Sequence, residues 1–196
     1  MTDTKPVAEP AAFGLLGLAI ITLLVGVEQI GQLPNANMIL PWALMLGGTT
    51  QLIAGFMDFK RNNIFGATAF SAYGVFWVSI AIMWTLNILA NHATFINGLN
   101  LEYGMTVGWA AVGWLVFTVY MTFGALKISK ILAIIFLLID VVFITLIGHF
   151  FAGWPLAVPG IAHLLLSAAS FYGSAAVVLN GQSGKTVIPI GEPFLK

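Results

Sequence analysis

The side chains of this sequence that could do chemistry are few, and most are neutral. His163, Ser167, Ser170 and Ser174 recur at spacings of four, three and four, the repeat that sets side chains on one face of a helix. Gly48, Gln51, Gly55 and Asp58 make a similar stripe, Thr68 and Ser71 share a face with Tyr73 nearby, and Thr22 shares a face with Leu18. Within apolar helices such stripes turn toward a neighbouring helix or a polar path, not toward lipid. For any single Ser or Thr the plain reading is a bond to its own backbone carbonyl or to a packed helix. Stripes on several helices also fit a shared path formed by Thr22, Gln51, Thr68, Ser71, Ser167, Ser170 and Ser174. Asp140 is the one formal charge deep inside an apolar run. Mid-membrane acids face protein or water, and a neutral carboxyl can donate a hydrogen bond. Asp140 is therefore read as proton-linked or structural.

The catalytic constellations are missing. The sequence has no H-E-x-x-H, no Walker loop, no G-x-S-x-G and no cysteine, so nucleophilic, thiol and phosphate-cradling chemistry lack their usual parts. His92, His149 and His163 carry no metal-ligand spacing and read as hydrogen-bonded helix-end or interior residues. The expectation is no enzyme, no metal and no cofactor. A formal net charge of zero gives no electrostatic case for a nucleic-acid partner.

The elements that must position these residues are membrane helices. Of 196 residues, 60% are hydrophobic and 7% charged, against roughly 25% charged in a soluble domain. So few charges cannot cover a globule in water. A bilayer core requires roughly 20 mostly apolar helical residues. Six runs meet or approach that: Ala11–Ile30, Ile39–Met57, Phe65–Leu89, Met105–Leu126, Ile131–Phe151 and Leu156–Leu179. The connectors hold turn formers, among them Pro34, Asn35, Asn62, Asn63, Asn97, Gly153 and Pro155. Lys5, flanked by Asp3 and Glu9, does not make the basic start of a secretory signal, so the first run is read as a permanent span. Lys5, Lys60, Arg61, Lys127, Lys130, Lys185 and Lys196 all fall in connectors or termini on one side of such a bundle. The positive-inside rule makes that side cytoplasmic.

The expectation is an all-α, multi-pass protein of the cell membrane. Residues 1–9 form a cytoplasmic N-terminal segment, 10–179 a six-helix bundle, and 180–196 a cytoplasmic tail without secondary structure. Gly14, Gly17, Gly47, Gly48, Gly55, Gly104 and Gly108 permit close helix packing within one subunit or between subunits. No Lys or Arg lies inside a span, so a small anion would meet only hydroxyls, amides and backbone dipoles. That favours weak binding and quick release, or passage of an acid together with a proton.

Several stretches resemble one family. Glu9-Pro10-Ala11-Ala12-Phe13-Gly14-Leu15 is similar to Asn-Pro-Ala-Pro-Leu-Gly-Leu. Gly47-Gly48, Gln51 and Ala54-Gly55-Phe56 follow a second-helix pattern. The block from Asn63 to Trp77 and the tail from Gly184 to Glu192 match further motifs. On these the chain resembles the acetate uptake transporters, also called succinate–acetate permeases, from about Glu9 to Glu192. The resemblance implies a homo-oligomer, a hexamer, with one pathway per subunit. It implies passage of acetate, with succinate and other short carboxylates, through a hydrophobic constriction made by a Phe, a Tyr and a Leu. By position these are Leu18, Tyr73 and Ile139, so two of the three differ from the pattern, as do Glu9 and Ala12. An apolar narrowing admits a methyl group and resists hydrated ions, whose water is costly to strip. Other readings of the architecture are a carrier of ammonium or a longer monocarboxylate, and a non-transporting membrane scaffold. If Ile139 faces the path, Asp140 is turned about 100° from it, toward a neighbouring helix.

Overall fold

The computed structural model describes residues 8–33, 37–92 and 103–195. Lys5, Lys196 and the outer connector with Asn97 lie outside them, as does the His92 side chain. The described residues form six helices long and apolar enough to cross a membrane, and no strand. They are α1 (Ala11–Gln29), α2 (Asn37–Lys60), α3 (Ile64–His92), α4 (Tyr103–Ala125), α5 (Lys130–Ala152) and α6 (Ala157–Ser183).

Local chemistry sets the ends. The Ser129 hydroxyl caps α5 by accepting the Leu132 N–H at 3.3 Å. Gly153 and Gly184, at φ +68° and +62°, end α5 and α6 in the left-handed conformation that glycine adopts without strain. α2 enters through Pro41 and widens into π-turns over Ala43–Thr49, where the Thr49 hydroxyl reaches back to the Leu44 carbonyl at 3.0 Å.

α6 runs four residues past the expected end at Leu179, because Asn180 does not stop it. Its side chain instead binds the returning tail, accepting the Val187 and Ile188 N–H groups at 2.7 and 2.9 Å and donating to the Ile188 carbonyl at 2.8 Å. The Ile131 N–H donates to the Ile190 carbonyl at 3.0 Å, and Phe194 N–H to the Leu126 carbonyl at 2.9 Å. The tail thus satisfies terminal backbone groups of α4 and α5.

The helices close a ring in chain order. α1 packs most extensively on α6, α4 on α5 and α2 on α3, with α5–α6 and α1–α2 completing the wall; the α3 and α4 backbones stand farther apart. Glycine permits the tight crossings. A Cβ on Gly26 would stand 3.0 Å from the Gly160 carbonyl oxygen across α1–α6, and one on Gly74 3.0 Å from that of Gly48 across α2–α3. Gly108 faces Phe150 and Phe151 of α5, so these small residues serve packing inside the subunit. Rings fill the α3–α4 gap instead. Tyr73 lies 5.8 Å from Trp114 and 5.4 Å from Phe117, and Phe76 5.2 Å from Trp114.

Candidate functional site

The ring encloses two cavities in series. The inner one, about 460 Å³, opens at the end that carries the start of α1, the α2–α3 turn, Ser129 and the tail residue Ile190. The outer one, about 420 Å³, is lined by Val25, Glu28 and Gln29 of α1, Trp77, Ile80 and Trp84 of α3, and His149 and His163. They have no lining residue in common. Between them lies one buried cluster that includes Leu18, Tyr73, Ile139, Val142, Phe143 and Leu166, with Phe76 packed against it. Leu18, Tyr73 and Ile139 form the inner cavity's deep end, whereas Phe76 and Phe143 face the outer one. A solute moving between the cavities meets hydrocarbon and rings.

The polar residues sort into two groups. Gln51 is almost fully buried and lines the inner cavity, its Nε2 without a partner. Thr22, Thr68, Ser71, Ser167, Ser170 and Ser174 line neither cavity. The Thr22 hydroxyl donates to the Leu18 carbonyl at 2.7 Å. Ser167 and Ser174 donate to the Ala19 and Ala12 carbonyls, each at 2.7 Å, and so tie α6 to α1. Ser170, fully buried between them, and Ser71, beside Gly55, have no hydrogen-bond partner among the described residues. His163 is bonded through Nδ1 to the Pro159 carbonyl at 2.9 Å, and His149 to the Trp154 carbonyl at 2.7 Å.

Asp140 turns from Ile139 toward α4, where the Thr122 hydroxyl meets its Oδ2 at 2.8 Å; Oδ1 is buried without a partner. One helical turn away, Thr118 meets the Tyr73 hydroxyl at 2.8 Å. Thr118 is fully buried. The sequence reading missed Thr118 and Thr122, because Thr in an apolar helix at four-residue spacing reads as backbone-bonded. The available signal was their i, i+4 repeat facing Tyr73 and Asp140.

Charge gathers at the inner mouth. Arg61 pairs with Glu9 at 2.6 Å and stands 3.7 Å from Asp58, whose side chain is fully buried. The Glu9 hydrogen bond pushes the Arg61 guanidinium pKa up, against the opposing effect of its burial. The pair joins the start of α1 to the end of α2.

The GPR1/FUN34/yaaH family pattern matches residues 1–192. The chain belongs to this family. It is 36% identical to the succinate-acetate/proton symporter SatP of Escherichia coli K12, over 98% of this chain and 99% of that protein. It is 30% identical to acetate permease A of Emericella nidulans, over 96% of this chain and 67% of the permease. The solved structure of the bacterial acetate channel SatP superposes with a TM-score of 0.86 at 32% identity, covering 94% of this chain and 99% of that one. The family match spans both cavities and reaches Gly191 in the returning tail. It therefore covers the whole bundle, and this is a multi-pass membrane protein.

Proposed function

We propose that this GPR1/FUN34/yaaH protein passes acetate across the membrane, with succinate and other short carboxylates as further substrates. One observation carries the reading: two cavities open toward opposite ends of a six-helix ring and are separated by a single buried apolar layer. A scaffold has no need of such an arrangement, and an enzyme would place a reactive pair in the cavity. The names of the matched relatives supply the substrate.

In this reading Leu18, Tyr73 and Ile139 form the constriction and Gln51 offers an amide on its inner side. The layer sorts by size and hydration, since a methyl group passes apolar walls at little cost while a hydrated ion must shed water. The described basic residues Lys60, Arg61, Lys127, Lys130 and Lys185 belong to the end that carries the inner cavity's mouth, so this end and both termini are cytoplasmic. Asp140 is a structural tie between α4 and α5. Apolar residues such as Trp109, Val116 and Phe123 are exposed on α4 and meet lipid or neighbouring copies in a homohexamer with one path per subunit.

Uptake of labelled acetate into proteoliposomes tests the function, with competition by unlabelled succinate, butyrate and ammonium. Saturable uptake reduced by the acids is expected. Uptake no greater than in protein-free vesicles would leave only a scaffold, and competition by ammonium alone would reassign the solute.

A further inference from the structure

The outer cavity holds chemistry that the transport reading leaves unused. Glu28 is the one formal charge in its lining, which includes no Lys or Arg. The ion pairs of the described residues both belong to Arg61, at the opposite end, and Glu28 has no cation within ion-pair distance among them. Next to it in sequence, Gln29 lines the same cavity with its Oε1 buried and without a hydrogen-bond partner among the described residues. Two ring nitrogens add to these oxygens. The Pro159 and Trp154 carbonyls can only accept, so the Nδ1 atoms of His163 and His149 carry the hydrogens in those bonds, at 2.9 and 2.7 Å. In a neutral imidazole the other nitrogen, Nε2, then holds a lone pair. His163 is 5% exposed, and its ring lines the cavity.

A ligand for this cavity must answer that charge and those acceptors. A carboxylate is repelled by Glu28 and finds no Lys or Arg in the lining to offset it. A metal ion needs ligands drawn together, and no group of three His, Asp or Glu is close enough among the described residues. A primary ammonium group is positive and carries three N–H donors, the set that a carboxylate, an amide oxygen and an imidazole lone pair accept. Phe76, Trp77 and Trp84 contribute rings to the same lining, and ring faces attract cations. The cavity, about 420 Å³, has far more room than an ammonium group fills, and Val25 and Ile80 add apolar wall. The ligand therefore carries hydrocarbon as well as charge. It does not continue inward, because the layer beyond is hydrocarbon and rings, which a charged group enters at high cost.

We propose that the outer cavity is a binding site for a small alkylammonium ion, its head on Glu28, Gln29 and His163 and its tail among the aromatic rings, and that the bound ion obstructs the path from outside. The binding stands on the cavity alone; the obstruction rests on the transport reading above. The site gives the protein an external ligand opposite in charge to the carboxylate it passes. Passage of the acid is thereby linked to amines outside the membrane, with no change in the layer formed by Leu18, Tyr73 and Ile139.

Equilibrium dialysis of labelled n-butylammonium against the purified protein in mixed micelles tests the site, at about pH 7, where an alkylamine is charged. Protein-free micelles give the background. Saturable binding is expected. Glu28→Gln should weaken it about tenfold or more, since hydrogen bonds to a charged group are the stronger kind. Glu192→Gln, which alters an exposed acid of the tail, should not. Unlabelled ethylammonium should displace the label, and 1-butanol, which has the tail without the charge, should not. In proteoliposomes, external n-butylammonium should reduce acetate uptake by the parent, measured as a fraction of uninhibited uptake, and reduce it less in Glu28→Gln. No saturable binding by the parent overturns the proposal, as does equal binding by a well-assembled Glu28→Gln. If that variant does not assemble, displacement by 1-butanol as effective as by ethylammonium overturns it. Binding without any effect on acetate uptake overturns the obstruction. Absence of acetate uptake by the parent, with binding intact, overturns the transport reading and leaves the site standing.

Discussion

The α1–α6 wall and the α3–α4 wall solve the same packing problem in opposite ways. Across α1–α6 the backbones touch through Gly26 and Gly160, and the Ser167 and Ser174 hydroxyls bond carbonyls of α1. Across α3–α4 the backbones stand apart and Tyr73, Phe76, Trp114 and Phe117 fill the space, with a side-chain bond between Tyr73 and Thr118. In lipid, close backbone approach and interhelical hydrogen bonds hold helices together, so the wall richer in hydroxyls is the tighter and more closed one. The path runs beside rings and aliphatic chains. Polarity here marks adhesion more than permeation.

The contrast breaks most visibly at glycine. Gly160→Leu places branched carbons against Gln29, Ile30 and the Gly26 carbonyl, and α6 cannot retreat without losing both serine bonds. A loss of about 3 kcal/mol is expected, read by unfolding in mixed micelles. Gly113, where an added Cβ meets nothing within 4 Å, should accept Ala with little change. Equal losses at the two positions would end the distinction between walls. The next largest effect belongs to the layer itself. Leu18→Ala and Ile139→Ala remove volume at the deep end of the inner cavity, and the butyrate-to-acetate uptake ratio should rise about tenfold in each. An unchanged ratio in both variants, with normal assembly, would remove these residues from the constriction.

The bundle was legible because lipid leaves a chain few options. Charge depletion, the lengths of the apolar runs and the one-sided basic residues together specify helices, and the ends agree within a few residues. The meeting of Leu18, Tyr73 and Ile139 was reachable only through family resemblance, since Leu and Ile in an apolar helix carry no signal of their own. The roles of the serines were harder to read, because a hydroxyl stripe looks the same whether it meets a carbonyl or a solute. The tail was opaque for a related reason. Its anchors are backbone groups of α4 and α5 and the Asn180 side chain, and a Gly- and Pro-containing polar segment does not reveal them.

A smaller effect is expected at Asp140, the polar tie between α4 and α5. Asp140→Asn keeps an oxygen for the Thr122 hydroxyl and should retain assembly and most uptake. Asp140→Leu leaves the Thr122 hydroxyl with the Thr118 carbonyl alone, at 3.0 Å, and should lower stability by about 1 kcal/mol. Native-size chromatography and uptake measured from about pH 5 to 8 separate the roles. Loss of uptake in Asp140→Asn with the oligomer intact would make the residue proton-linked.

The smallest expected effect probes the closed wall directly. Ser167→Ala removes a 2.7 Å bond to the Ala19 carbonyl. That carbonyl is not left bare, because the Thr22 hydroxyl also approaches it at 3.3 Å. Interhelical bonds of this kind contribute about 0.6 kcal/mol on average in a membrane protein, so the loss should be of that size. Ser174 bonds Ala12 about two turns further along the same interface. The sites share no partner, so Ser167→Ala with Ser174→Ala should cost about the sum of the two. Acetate, succinate and butyrate should keep their relative uptake in all three variants, since neither serine lines a cavity. A shift in those ratios without a change in stability would put the hydroxyls on the path and reverse the assignment of the two walls.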